Sequence, residues 1–143
     1  MTLILDAAPL VALADRRDPI GPQIATLLQD EPGELVVPAP VTAEVDYVLG
    51  RRLGRRARVA FIDDLAAGRF AVGCLDADDH AVVVDLERRY ADLDVGLADL
   101  SVVVLAKRWD TRRLLTFDDR HFRALRPLTG GRFTLLPADA PGP

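Results

Sequence analysis

The chain has 143 residues, half of them hydrophobic, and a formal charge of −4 at neutral pH. That length suits one domain that buries its apolar side chains without disulfides or a structural metal. The composition argues against disorder, and no apolar run of about eighteen residues escapes a charge, which argues against a membrane span. The acidic balance also argues against a protein held on nucleic acid by its overall field.

In chain order, "MTLILDAAPL" lacks a basic leader before its apolar run, so a cytoplasmic location is expected. The run "LIL" at 3–5 reads as a buried strand that ends on Asp6, and helices follow at about 8–16 and 20–30. "ELVVP" at 34–38 is a second strand, leading into a helix at 40–53 with Pro40 in its first turn and then a helix at 55–67. A third strand, "RFAVGCL" at 69–75, contains Cys74, the single cysteine, which has no disulfide partner and is expected to be a small core residue. Helices at 77–91 and 97–109, a strand "RRLLTF" at 112–117, a short helix holding "RHFRAL" and a last strand "RFTLLP" at 132–137 complete the pattern. Residues 1–137 make a single domain, and the Pro/Gly-rich 138–143 are expected to be a flexible tail. Strands apolar on both faces, alternating with helices, predict an α/β fold with a mostly parallel central sheet covered by helices. Sheets of that kind place their working sites beyond the carboxyl ends of the strands.

Four acids fall in apolar surroundings at such places. Asp6 and Asp118 each stand at the end of a strand, Glu44 lies on the edge of the stripe Val41, Val45, Val48, and Asp99 shares a face with Val102, Val103 and Ala106 on a helix apolar nearly all round. An ionised carboxylate there costs several kcal/mol, on the order of a buried charge, unless something compensates it. One compensator is a divalent cation, and an all-oxygen ligand set suits Mg²⁺ or Mn²⁺. Each acid also has a structural reading: Asp6 and Asp118 as helix N-caps, Glu44 on a solvated edge, Asp99 in a first turn complementing the helix dipole.

In "LILDAAPLVAL", "PAPVTAEVDYVLG", "VGLADLSVVVLAKR" and "RRLLTFDDRHF", in that order over nearly the whole chain, the sequence resembles the PIN-domain family, and within it the VapC-type toxins of bacterial toxin–antitoxin pairs. The resemblance implies an α/β/α sandwich in which Asp6, Glu44, Asp99 and Asp118 are catalytic, with Asp6, Asp99 and Asp118 binding Mg²⁺ or Mn²⁺. It implies metal-dependent cleavage of RNA by water, leaving a 5′-phosphate and a 3′-hydroxyl, and it implies a homodimer and a small VapB-like antitoxin that plugs the site. The family often carries a hydroxyl residue directly after the first aspartate; here Ala7 and Ala8 follow Asp6, so the hydroxyls left nearby are Thr116 and Ser101.

The stretch "GRRLGRRAR" carries Arg51, Arg52, Arg55 and Arg56 and is the candidate for RNA phosphate contact, against a reading as a solvated helix end. His121 is expected on the surface of its short helix, and Asp119 as a cap or peripheral acid beside Asp118. A phosphatase of the haloacid dehalogenase type needs an acid where Ala8 stands, and a receiver domain needs a lysine beyond a late strand, whereas Lys107 falls within a helix. The alternatives that stay open are a housekeeping RNA-processing nuclease of PIN-like fold and a non-catalytic RNA- or protein-binding module.

Overall fold

The five apolar runs form β1 (Thr2–Leu5), β2 (Glu34–Pro38), β3 (Ala71–Gly73), β4 (Arg113–Leu115) and β5 (Thr134–Leu136) in the computed structural model, which describes residues 1–142. They pair into one sheet in the order β3-β2-β1-β4-β5, and every pairing is parallel. β3, β4 and β5 are only three residues long, shorter than the apolar runs that hold them.

Seven helices connect the strands: α1 (Ala7–Ala14), α2 (Gly21–Asp30), α3 (Ala39–Arg52), α4 (Arg55–Ala66), α5 (Ala77–Arg89), α6 (Leu97–Arg108) and α7 (Asp119–Ala124). From β1 the chain steps outward to β2 and β3, then crosses back past β1 to β4 and β5. With right-handed crossovers, the reversal puts α1 to α4 on one face of the sheet and α5 to α7 on the other. The packing agrees, since α1 lies against α2 and α3, α3 against α4, and α5 against α6. The result is an α/β/α sandwich. Among the described residues no helix is long and apolar enough to cross a membrane.

The core forms where both faces of the central strands are covered. Leu3, Ile4 and Leu5 of β1 are fully buried, as are Val36 and Val37 of β2 and Leu115 of β4. Each such side chain contributes about 1.5–3 kcal/mol of burial. Residues 100–106 of α6 are buried without exception, and this helix packs on β1 and β2. Its all-round apolarity is thus explained by its central position rather than by an amphipathic surface role.

One expectation is corrected at the margin of the sheet. Cys74 is exposed, not part of the core. Side chains alternate along β3, and Gly73 is the buried one: a Cβ there would stand 2.7 Å from Leu105 Cδ1, so the residues on either side of it face out. Past β5, Asp139 accepts from Arg123 at 2.8 and 2.5 Å and from Leu135 N–H at 2.8 Å, anchoring the chain just beyond the domain proper.

Candidate active site

The direction of the connections reverses between β1 and β4, and a crevice opens at such a point beyond the carboxyl ends of the strands. The register sets Ile4 beside Leu114 and Leu5 beside Leu115, so the next residues, Asp6 and Thr116, leave the sheet side by side. Asp6 N–H donates to Leu115 C=O at 2.9 Å, which extends the ladder one step past β1. The Asp6 carboxylate accepts from Ala7 N–H at 2.8 Å and from the Thr116 hydroxyl at 2.7 Å. Thr116 in turn accepts from Asp118 N–H at 3.0 Å, so one buried hydroxyl joins the two strand-end acids. The hydroxyl support absent at Ala7 therefore comes from the neighbouring strand.

Asp118 is the N-cap of α7: its carboxylate accepts from His121 N–H at 3.1 Å and stands 2.7 Å from His121 Nδ1. Asp119 is exposed at the first position of that helix, so the doubled aspartate divides into an inward cap and an outward neighbour. Asp6 caps α1 by the same logic. Capping and membership of an acidic site are therefore not alternatives for these two residues.

Asp99, in the first turn of α6, and Glu44, in the second turn of α3, complete the set. The helices α3 and α6 meet, which carries the two acids toward each other. Asp6 is held above its ordinary range by burial, with a further push from Asp118 that outweighs neither the Thr116 nor the Ala7 hydrogen bond. Asp99 is raised by burial and by the charges of Asp6 and Asp118, with His121 pulling the other way. Glu44 is exposed at the rim, yet partial desolvation and the charges of Asp6 and Asp99 raise it as well. These mutual effects define one acidic field. Among the described residues, neither arginine nor lysine forms an ion pair with any of the four.

Among the described residues no three His, Cys, Asp or Glu side chains are grouped closely enough to hold a metal ion by themselves. The donor chemistry still fits a hard divalent ion: all four offer carboxylate oxygen, and Mg²⁺ characteristically takes one or two carboxylates, keeps several waters and accepts substrate phosphate.

Ser101 does not join the site. Its hydroxyl donates to Ala98 C=O at 2.6 Å, one turn back in α6, and so has no proton left to give to a carboxylate of the site. His121 is the residue sequence reasoning passed over; it is half-buried against Asp118 rather than on an open surface. The available signal was its place three residues after an N-cap aspartate, where both backbone and ring can return to the cap.

Arg51 and Arg52 are exposed in the last turn of α3, where the helix dipole favours them. Arg55 and Arg56 are exposed in the first turn of α4, the end where the dipole disfavours cations. Gly54, at φ +93°, makes the tight reversal that brings the two pairs together. Among the described residues none of these four arginines has an acidic partner. A groove of about 510 Å³ lies beside them, with Leu13, Leu53 and Phe61 in its lining and Arg16, Arg17 and Arg56 among its polar residues. It sits at the far ends of α1 and α3 from the acids.

An α/β/α sandwich with acids at the switch point is the architecture of a PIN domain, and residues 3–126 match that family. The chain belongs to the PIN domain family, in its VapC-type branch. Ribonuclease VapC26 of Mycobacterium tuberculosis is 37% identical to it over 135 residues, which is 94% of this chain and all of that protein. Among solved structures, VapC20 of Mycobacterium tuberculosis, described as a sarcin–ricin loop cleaving toxin, superposes with a TM-score of 0.73 at 19% identity, covering 78% of this chain and 86% of its own. VapBC2 of Rickettsia felis, bound to a promoter DNA fragment, gives 0.67 at 15% identity over 94% and 97% of the two chains. FitAcB of Neisseria gonorrhoeae gives 0.60 at 15% identity over 82% and 88%.

Proposed function

We propose that this chain is the toxin of a bacterial toxin–antitoxin pair, a Mg²⁺- or Mn²⁺-dependent endoribonuclease acting on structured RNA such as tRNA or rRNA loops. The observation that carries the reading is the acidic field at the switch point: carboxylates raised by burial and by one another, with no arginine or lysine supplied in a chain rich in arginine. A site so built favours a cation from outside.

Asp6, Asp99 and Asp118 are the residues that would hold the ion, and Glu44 at the open rim would orient the attacking water. A bound divalent ion supplies the positive charge that makes water acidic enough to attack a phosphodiester and that steadies the departing oxygen. Thr116 keeps the Asp6 and Asp118 segments at a fixed separation, so the acids do not have to be ordered at the moment of reaction. Attack by water rather than by the RNA's own 2′-hydroxyl would leave a 5′-phosphate and a 3′-hydroxyl, the products that the family resemblance implies.

Arg51, Arg52, Arg55 and Arg56 are assigned to backbone phosphates; the placement of Arg55 and Arg56 against the helix dipole supports a role outside folding. VapC26 is named a ribonuclease and VapC20 a toxin cleaving the sarcin–ricin loop, so ribosomal loops are the first substrates to try. A VapB-like antitoxin, a homodimeric state and a cytoplasmic location complete the proposal.

The test is incubation of the purified chain with total RNA in Mg²⁺ or Mn²⁺, followed by sequencing of the new 5′ ends. Discrete cleavage that stops in EDTA and is lost in folded Asp6→Asn and Asp99→Asn variants is expected. Full activity in both variants, or binding without cleavage, would overturn the assignment in favour of a non-catalytic module.

A further inference from the structure

His121 has no role in the mechanism above, yet it makes the most complete contact with an acid of the site. Its backbone N–H donates to one Asp118 oxygen at 3.1 Å, and its ring Nδ1 stands 2.7 Å from the other. One residue therefore engages both oxygens of the carboxylate. The ring is half-buried, and its neighbour Phe122 is fixed in the core, 6.3 Å edge-on from Phe133, so the backbone that presents the imidazole has little freedom.

We propose that His121 is a positioning residue that sets the orientation of Asp118 as a metal ligand. The inference rests on the reading of Asp118 given above. The backbone bond alone is an ordinary N-cap contact, and it leaves the carboxylate free to swing about the bonded oxygen. The ring bond removes that freedom. With Nδ1–H donating to it, the second oxygen keeps lone pairs for a cation but loses the choice of direction. The chain of contacts is continuous from Asp6 through the Thr116 hydroxyl to the Asp118 backbone, and from the Asp118 carboxylate to His121. Thr116 fixes where Asp118 starts, and His121 fixes where its carboxylate points.

The experiment is a titration of the full chain with Mn²⁺, read by the loss of the free-ion paramagnetic resonance signal, alongside metal-free thermal unfolding. His121→Ala removes the ring, His121→Leu keeps bulk without a donor, and His121→Asn places an amide N–H near the Nδ1 position on nearly the same shape as leucine. Expected are a Mn²⁺ dissociation constant weakened roughly tenfold in H121A and H121L, the scale on which outer-shell contacts act, and recovery to within about threefold in H121N. A purely structural role would shift the unfolding temperature of H121N and H121L together and would not separate their Mn²⁺ affinities. Equal affinities for H121N and H121L, or wild-type affinity in either folded H121A or H121L, would overturn the proposal. Wild-type protein that takes up no Mn²⁺ would overturn the metal site itself, an outcome distinct from wild-type binding that is insensitive to His121.

Discussion

At the amino ends of the strands Glu31 is gripped by Arg113 through two bonds of 2.8 and 2.7 Å; at the carboxyl ends Asp6 and Asp99 have no such partner. The Glu31 side chain is only 4% exposed, and its pKa is lowered chiefly by the Arg113 hydrogen bonds. Asp6 is 8% exposed, and its pKa is raised chiefly by burial. The two carboxylates are thus driven in opposite directions: Asp6 is the more deeply desolvated, and only Glu31 has an arginine to set against the cost. Elsewhere the pattern of Glu31 repeats: Arg108 pairs with Asp79, and Arg123 with Asp139, whose pKa falls to about 2. These three acids each have an arginine, whereas none of the four at the switch point has an arginine or lysine partner among the described residues.

The sharpest way to break this comparison is through Thr116, the hydroxyl that substitutes for a cation at Asp6. Thr116→Val should lower RNA cleavage by about 10- to 100-fold in a steady-state assay while Thr116→Ser retains most of it. Unchanged cleavage in the valine variant would reduce the Asp6–Thr116 contact to packing. At the opposite end, Arg113→Ala should cost about 1 kcal/mol of stability, ~4 °C in Tm, by removing both hydrogen bonds to Glu31. Cleavage by the remaining folded protein should be normal, and a loss of specific activity would mean that the two ends are not independent.

A smaller and opposite effect is expected for Asp99→Asn without metal. The folded protein binds a proton on Asp99 more tightly than the unfolded chain does, so ionisation of Asp99 destabilises the fold. The variant should therefore be more stable than wild type at pH 7, by a margin that solvent screening of this partly exposed group keeps small. The gain should disappear as pH falls through the raised pKa toward the ordinary value of 3.8, where Asp99 is protonated in both states. Glu31 runs the other way: its lowered pKa contributes stability above the ordinary value of 4.5, lost as pH falls through the lowered one. Thermal melts of wild type and D99N from pH 3 to 7, about the span of both groups, separate the two trends. A D99N variant less stable than wild type at neutral pH would contradict the account of the site as strained by its own charge.

The smallest effect concerns the arginine cluster. Neutralising Arg55 or Arg56 should lower the slope of log affinity against log salt for RNA by about one each, with Tm unchanged or slightly raised. A slope unaffected by both changes would remove these residues from the RNA path.

Local chemistry made much of this legible in advance. Apolar runs such as Leu3–Leu5 and Glu34–Pro38 are strands because they are short, branched and bounded, and the buried helix of residues 100–106 announces itself by lacking a polar face. Asp6 and Asp118 could be placed at strand ends because the end of an apolar run is a property of neighbouring residues. Relations across the chain were not accessible in the same way. Cys74 follows a short edge strand in which Gly73 takes the inward place, and nothing in "FAVGCL" says which residue faces Leu105. Ser101 and Thr116 look equivalent as hydroxyls near acids, yet one donates to its own helix and the other, across 110 positions, to Asp6.

Composition and periodicity thus determined the kinds of element, their order along the chain and the residue types able to form an all-oxygen site, because these depend on interactions within a few residues. The strand order β3-β2-β1-β4-β5, the pairing of Leu5 with Leu115 and the hydrogen bond from Thr116 to Asp6 were decided only in three dimensions. Parallel strands can be joined in several orders at nearly equal local cost; burial of both sheet faces, and the hydrogen bonds that follow from it, select one.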